Sequence, residues 1–130
     1  MTDLIERILP TVQKPARYTG GEFNEIKKDL NDVRVRVAFC FPDTYEIGMS
    51  NLGVRILYHV LNSREDTWAE RAYAPWVDME DAMREENIPL WAHESGDPLR
   101  EFDILGFSIQ YELCYTNVLN MLELAGIPLL

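Results

Sequence analysis

The stretch "FCFPDTYEIGMSNLGVRIL", Phe39–Leu57, decides how this chain folds. It begins apolar, breaks at Pro42, turns polar from Asp43 to Glu46, and then takes up a helical period. Upstream, Val33–Phe41 alternates at first and becomes apolar on both faces over Ala38–Phe41. A strand that is apolar on both faces is covered by helices on both sides, which points to a parallel sheet. Downstream, a helix is expected from about Ser50 to Asn62. Leu52, Ile56 and Val60 form its apolar stripe, Leu57 and Leu61 stand beside it, and Ser50 or Asn51 is its N-cap.

The same reading extends along the chain. Thr2 caps a short helix over Asp3–Leu9, which Pro10 stops. "TVQKPARYTGGEFNEIKK" has no period and carries Pro15, Gly20 and Gly21, so it reads as a surface arm. Trp68–Ala74 is a second strand. Pro75 suits the first turn of a helix over Trp76–Glu86, where Asp78, Glu80 and Asp81 meet the positive end of the helix dipole, and Asn87 closes it. A short strand is expected at Ile88–Ala92 and one helical turn at Pro98–Phe102. Ile104–Ile109, apolar but for Ser108, forms the next strand. A helix over Cys114–Ala125 carries Val118, Leu119, Leu122 and Ala125 on one side and ends at Gly126 in the left-handed conformation.

Alternating strands and helices with right-handed crossovers give an α/β fold, a partial Rossmann- or flavodoxin-like parallel sheet in three layers. The expected division is an N-terminal helix and arm over residues 1–32 and an α/β domain over 33–130. "IPLL", after the glycine stop, looks like the start of a further strand, so the domain reads as truncated after its third strand–helix unit.

The totals restrict partners. The chain has 12 basic and 22 acidic residues, a net charge of −10. That excess disfavours nucleic acid and anionic membrane surfaces, both of which require clustered Lys and Arg. No secretory leader and no apolar run of about 18 residues is present, so a soluble, cytoplasmic protein without a membrane span is expected. Cys40 and Cys114 stand outside any CxxC or Cys/His cluster, which makes buried thiols the expectation and an internal zinc or iron–sulfur site improbable. His59, on a helix, reads as partly exposed. His93, in a turn with Glu94 and Asp97, lacks a third ligand for a metal. Trp68, Trp76 and Trp91 read as core or interface aromatics.

In flavodoxin-like order, ligands sit at the carboxyl edge between the first and third strands. The loops there are Pro42–Asn51 and Ser108–Tyr115. Asp43, Thr44 and Asn51 offer oxygens and an amide, Gly48 and Gly53 allow close approach, and Ser108 and Gln110 supply a hydroxyl and a carboxamide. The loop is neither GxxxxGK[ST] nor GxGxxG, and Asp43 and Glu46 would repel a phosphate. The alternative reading is structural: Asp43 and Ser50 as caps, Gly53 as a packing glycine.

"VQKPARYTGGEFN" followed by "VRVAFCFPDTYEIGMSNLGVRILYHVLN" resembles the start of a family of radical S-adenosylmethionine proteins with an amino-terminal cobalamin-binding-like domain. "APWVDMEDAMRE", "PLWAHESGDPLREFDILGFSIQYELCYTNVLNML" and "AGIPL" continue the likeness over nearly the whole chain. The resemblance implies a Rossmann-like domain that precedes a radical barrel, with S-adenosylmethionine and a 4Fe-4S cluster in that missing part of the parent enzyme. It also implies cobalamin as a cofactor for this domain, with Asp43, Thr44, Tyr45, Gly48, Asn51, Gly53, Ser108 and Gln110 as its binding residues. Where such domains place DxHxxG, this chain has Asp43-Thr44-Tyr45-Glu46-Ile47-Gly48, so Tyr45 stands in place of the cobalt-ligating histidine. Two functions therefore stand side by side: a cobalamin-binding-like domain, not catalytic alone, and a vestigial docking domain that holds no cofactor. An independent flavodoxin-like module is a third. Loss of the later strands would leave the third strand as an apolar edge, open to the barrel of the parent or to a second copy in a homodimer.

Overall fold

A computed structural model describes residues 1–130. Its elements are α1 (Thr2–Ile8), β1 (Val35–Phe41), α2 (Tyr45–Met49), α3 (Leu52–Asn62), β2 (Thr67–Tyr73), α4 (Val77–Glu86), β3 (Ile104–Phe107) and α5 (Tyr115–Leu124). Single 3-10 turns lie at Leu9–Thr11, Pro15–Arg17, Leu99–Glu101 and Glu112–Cys114. The three strands form one parallel sheet in the order β2-β1-β3, as expected for a partial Rossmann-like fold. β1 is central, with Val35–Phe41 in register with Thr67–Tyr73 and Val37–Cys40 in register with Ile104–Phe107.

Period two along β1 splits the core into two layers. Ala38 and Cys40, with Ala72, face the larger layer, built from Ile5 and Ile8 of α1, Met79 and Met83 of α4, Met121 and Leu124 of α5, and the Ile88–Ala92 segment. Val37 and Phe41 face the other layer, where Val54 and Tyr58 of α3 cover them together with Ala69 and Tyr73.

Several details differ from the sequence reading. α1 begins at Thr2, with Met1 at its N-cap and no side-chain cap. α5 buries Met121 and Leu124 along with Ala125 and leaves Leu119 exposed. The Pro42–Asn51 loop contains α2, too short to show a period. The Leu52, Ile56 and Val60 stripe of α3 points outward, and all three are exposed. The helix instead turns Val54, Tyr58 and Asn62 to the sheet, because Tyr58 and Asn62 have polar partners there that hydropathy does not score. Ile88–Ala92 makes no strand beyond an isolated bridge between Trp91 and Pro98. Arg36, in the alternating half of β1, is mostly buried between the Trp68 and Phe102 rings and paired with the fully buried Glu70 and with Asp97. Cys40 and Cys114 are buried free thiols.

The two sheet edges are treated differently. On β2, Asn62 of α3 bonds to Ala69 through both its amide atoms, at 2.9 Å each, and the Arg71 amide and carbonyl are taken by the Glu94 carboxylate and the His93 amide. That edge is sealed. β3 ends the sheet on the other side with nothing paired to it, and Ile104 is exposed.

Lys28 closes α3. Its ammonium donates to the carbonyls of Asn62, Arg64 and Thr67 at 2.9, 2.7 and 2.6 Å, satisfying groups the helix end would leave orphaned and meeting its negative dipole. Lys28→Met keeps the apolar stem and removes the donors. It is expected to lower unfolding free energy by about 2 kcal/mol in urea denaturation, with the slope unchanged.

Candidate functional site

The structure splits the residues that the sequence marks as ligand candidates: Asp43, Ser108 and Gln110 lie in the loops after β1 and β3, Tyr45 turns to the β2 side, and the others cap or pack α2 and α3. The first group lies between β1 and β3. The Ser108 amide donates to the Cys40 carbonyl at 3.1 Å, and Asn117 of α5 donates through its side-chain amide to the Pro42 carbonyl at 3.0 Å. Gln110 bonds to the Ser108 hydroxyl at 2.6 Å. Asp43 accepts from the Thr44 amide at 2.7 Å, and its carbonyl accepts from Ala74 at 2.9 Å, so the turn is tied to both neighbouring strands. The Ser108–Cys40 and Asn117–Pro42 bonds bring the two loops into one neighbourhood.

The remaining candidates do local structural work. Thr44 is the buried N-cap residue of α2. Asn51 caps α3, its side-chain oxygen accepting from the Val54 amide at 3.0 Å. A Cβ at Gly53 would stand 3.1 Å from that same oxygen. A Cβ at Gly48 would stand 2.5 Å from the Tyr73 ring and 3.2 Å from Cβ of Phe41, so this glycine lets α2 lie directly on β2.

Tyr45 belongs to a second group, on the β2 side, which the sequence did not disclose. Its hydroxyl donates to Glu22 of the arm, and its ring stacks on His93 with centroids 5.0 Å apart and meets Tyr73 edge-on at 5.3 Å. Glu22 reaches this point because Gly20 and Gly21 both take left-handed backbone, at φ +65° and +77°. A Cβ at Gly20 would stand 2.7 Å from the His93 carbonyl. At the centre is Arg71 of β2. Its Nε donates to Glu94 at 2.6 Å, its Nη1 donates to Glu22 at 2.9 Å, and its guanidinium lies 4.6 Å from the centre of the Tyr58 ring. The available signal was the pair Glu70-Arg71 inside an otherwise apolar strand: opposite faces, both buried, each requiring a counter-charge from elsewhere.

Burial sets the titration of this group. It pushes the Tyr45 phenol up to about 12, helped by the Glu22 carboxylate, so Tyr45 stays protonated and donates. It lowers His93, aided by the Arg71 charge, so the imidazole stays neutral. It raises the Glu94 carboxyl to about 7 against the pull of Arg71.

Ligation of cobalt from this loop would take an imidazole at the position of Tyr45. The residue there is a protonated phenol already committed to Glu22 and His93, and the space above Gly48 is filled by Tyr73. These residues do not fit a cobalt ligand. No group of three or more His, Cys, Asp or Glu side chains is arranged to hold a metal ion, and no helix is long and apolar enough to cross a membrane.

Two predictions concern this site. Gly48→Ala is expected to cost about 1–3 kcal/mol by forcing α2 off Tyr73, although alanine favours a helix, as read by urea denaturation. The second concerns Glu94, whose folded pKa lies above the ordinary carboxylate range, so the native state holds the proton more tightly. That contribution is complete below about pH 4.3 and is lost as pH rises through about 7. The stability of the wild type relative to Glu94→Gln should therefore fall as pH rises over that window. His93 contributes with the opposite sign, its stabilisation being lost as pH falls, but it titrates in both proteins and cancels from the difference.

The family model for the N-terminal domain of radical SAM proteins matches residues 53–130. No curated protein and no solved structure matches the chain. The chain belongs to the family of N-terminal domains of radical SAM proteins.

Proposed function

We propose that this chain is a docking domain, not catalytic by itself, that seats on the radical barrel of a radical S-adenosylmethionine enzyme and holds no cobalt through its own side chains. The observation that carries the reading is the asymmetry of the sheet. The β2 edge is closed by Asn62, His93 and Glu94, while the β3 edge is open. The open side continues into exposed apolar residues at the carboxyl rim: Ile109, Tyr111, Leu113 and Tyr115 beside β3, and Ile47 on α2. An apolar strand edge beside such a rim suits a protein partner. In this reading residues 1–32 are the helix and arm that brace the domain, and 33–130 are the α/β body.

S-adenosylmethionine and the 4Fe-4S cluster belong to the barrel. This chain's two cysteines are buried and fall short of the three thiolates such a cluster requires. Asp43, Thr44, Asn51, Gly53, Ser108 and Gln110 are read here as residues that shape the rim, with Tyr45 and Gly48 fixing α2 against β2. The charge of −10 speaks against a nucleic-acid partner.

Two measurements test this. Hydroxocobalamin titrated into the chain should leave its visible spectrum unchanged; a shift abolished by Asp43→Ala and Ser108→Ala would restore the cofactor reading. Without its partner, the chain should self-associate through β3, as seen by sedimentation velocity over a wide concentration range. Ile104→Lys with Leu113→Lys should return it to monomer at unchanged melting temperature. A wild type that stays monomeric throughout would remove the open-edge argument.

A further inference from the structure

A cleft of about 560 Å³ runs between α3 and the arm, on the β2 side of the sheet. Its walls are Glu22, Asn24 and Ile26 of the arm, Met49 and Ser50 at the α2–α3 turn, Arg55, Tyr58 and His59 of α3, and Arg71 of β2. Its size is that of an ordinary small-ligand site.

Its basic residues stand apart from the rest of the molecule. In this acidic chain every lysine and arginine except Arg34, Arg55 and Arg100 holds an ion pair or a side-chain hydrogen bond. Arg55 is one of the three left free, and it opens into this cleft with His59 one helical turn further on, on the same face. α3 carries no acidic residue that could answer them. Arg71 lies on the inner wall, its side chain only 9% exposed, and its Nη2 has no hydrogen-bond partner. An unpaired donor on a buried guanidinium costs free energy unless something accepts from it. The one acid on the wall, Glu22, has both oxygens occupied, one by Tyr45 and His93 and the other by Arg71.

We propose that this cleft binds a small organic oxyanion, a phosphate monoester or a carboxylate. Arg55 and His59 grip the charged group from α3, and Arg71 closes the inner wall. Arginine's planar fork of donors suits either headgroup, and Ile26, Met49 and Tyr58 supply apolar contact for the body of the ligand. The site is independent of the docking surface, so either can fail alone.

Amide NMR of the isotope-labelled chain tests it, with orthophosphate and acetate titrated separately against sodium chloride at matched ionic strength. The expected result is a saturable shift of the Asn24, Ser50, Arg55 and His59 amides with one probe or both; the probe that acts identifies the headgroup. Arg55→Ala and His59→Ala should each weaken that binding by about tenfold at unchanged melting temperature, since both side chains are exposed and unpaired. Shifts that never saturate, that chloride reproduces, or that ignore both substitutions would overturn the proposal.

Discussion

A guanidinium buried under α3 organises this domain. Arg71 projects from the outermost strand on the α3 side, and without partners its charge could not remain there. The partners come from three distant parts of the chain: Glu22 from the arm, Glu94 from the segment before β3, and the Tyr58 ring from α3. Each partner brings its surroundings with it. Glu22 holds the arm across the carboxyl edge and engages Tyr45, and Glu94 with His93 closes the backbone edge of β2. A buried ion cluster of this kind adds little net stability over an apolar replacement, but removing one member leaves an unmatched charge. Its consequence is placement, since the arm has one seat and β2 has one covered edge.

The same cluster accounts for the fate of the loop after β1. The Tyr45 phenol is drawn sideways into the Arg71 group, stacked on His93 and hydrogen-bonded to Glu22. The neighbouring glycine is used to bring α2 onto Tyr73. The chemistry of the loop has been given over to holding the arm and β2 together. β3 and the rim beside it stay uncovered, as does the Leu52, Ile56 and Val60 stripe of α3.

The second buried pair, Arg36 with Glu70 and Asp97, repeats the device on the opposite face of the sheet. Glu70 and Arg71 are adjacent in sequence and point to opposite sides, so β2 carries one charge into each layer. This explains how an edge strand comes to be buried at all seven positions. Its outer side is covered by polar groups that its own charges attract.

The sequence by itself determined the three strands and the longer helices between them, the parallel sheet, the cap at Asn87, the left-handed stop at Gly126 and the family likeness. These features rest on local signals: period, turn chemistry and the apolar character of β1 and β3. Only the tertiary structure decided which face of α3 is buried, because Tyr58 and Asn62 turn inward for hydrogen bonds that hydropathy cannot register. The tertiary structure also decided that the loop after β1 divides, with Pro42 held by Asn117 of α5 and Tyr45 turned to Glu22, His93 and Tyr73. Contacts such as Arg71 with Glu22, 49 residues apart in sequence, leave no periodic trace. A buried charge announces that a partner exists, and only the folded chain says which one.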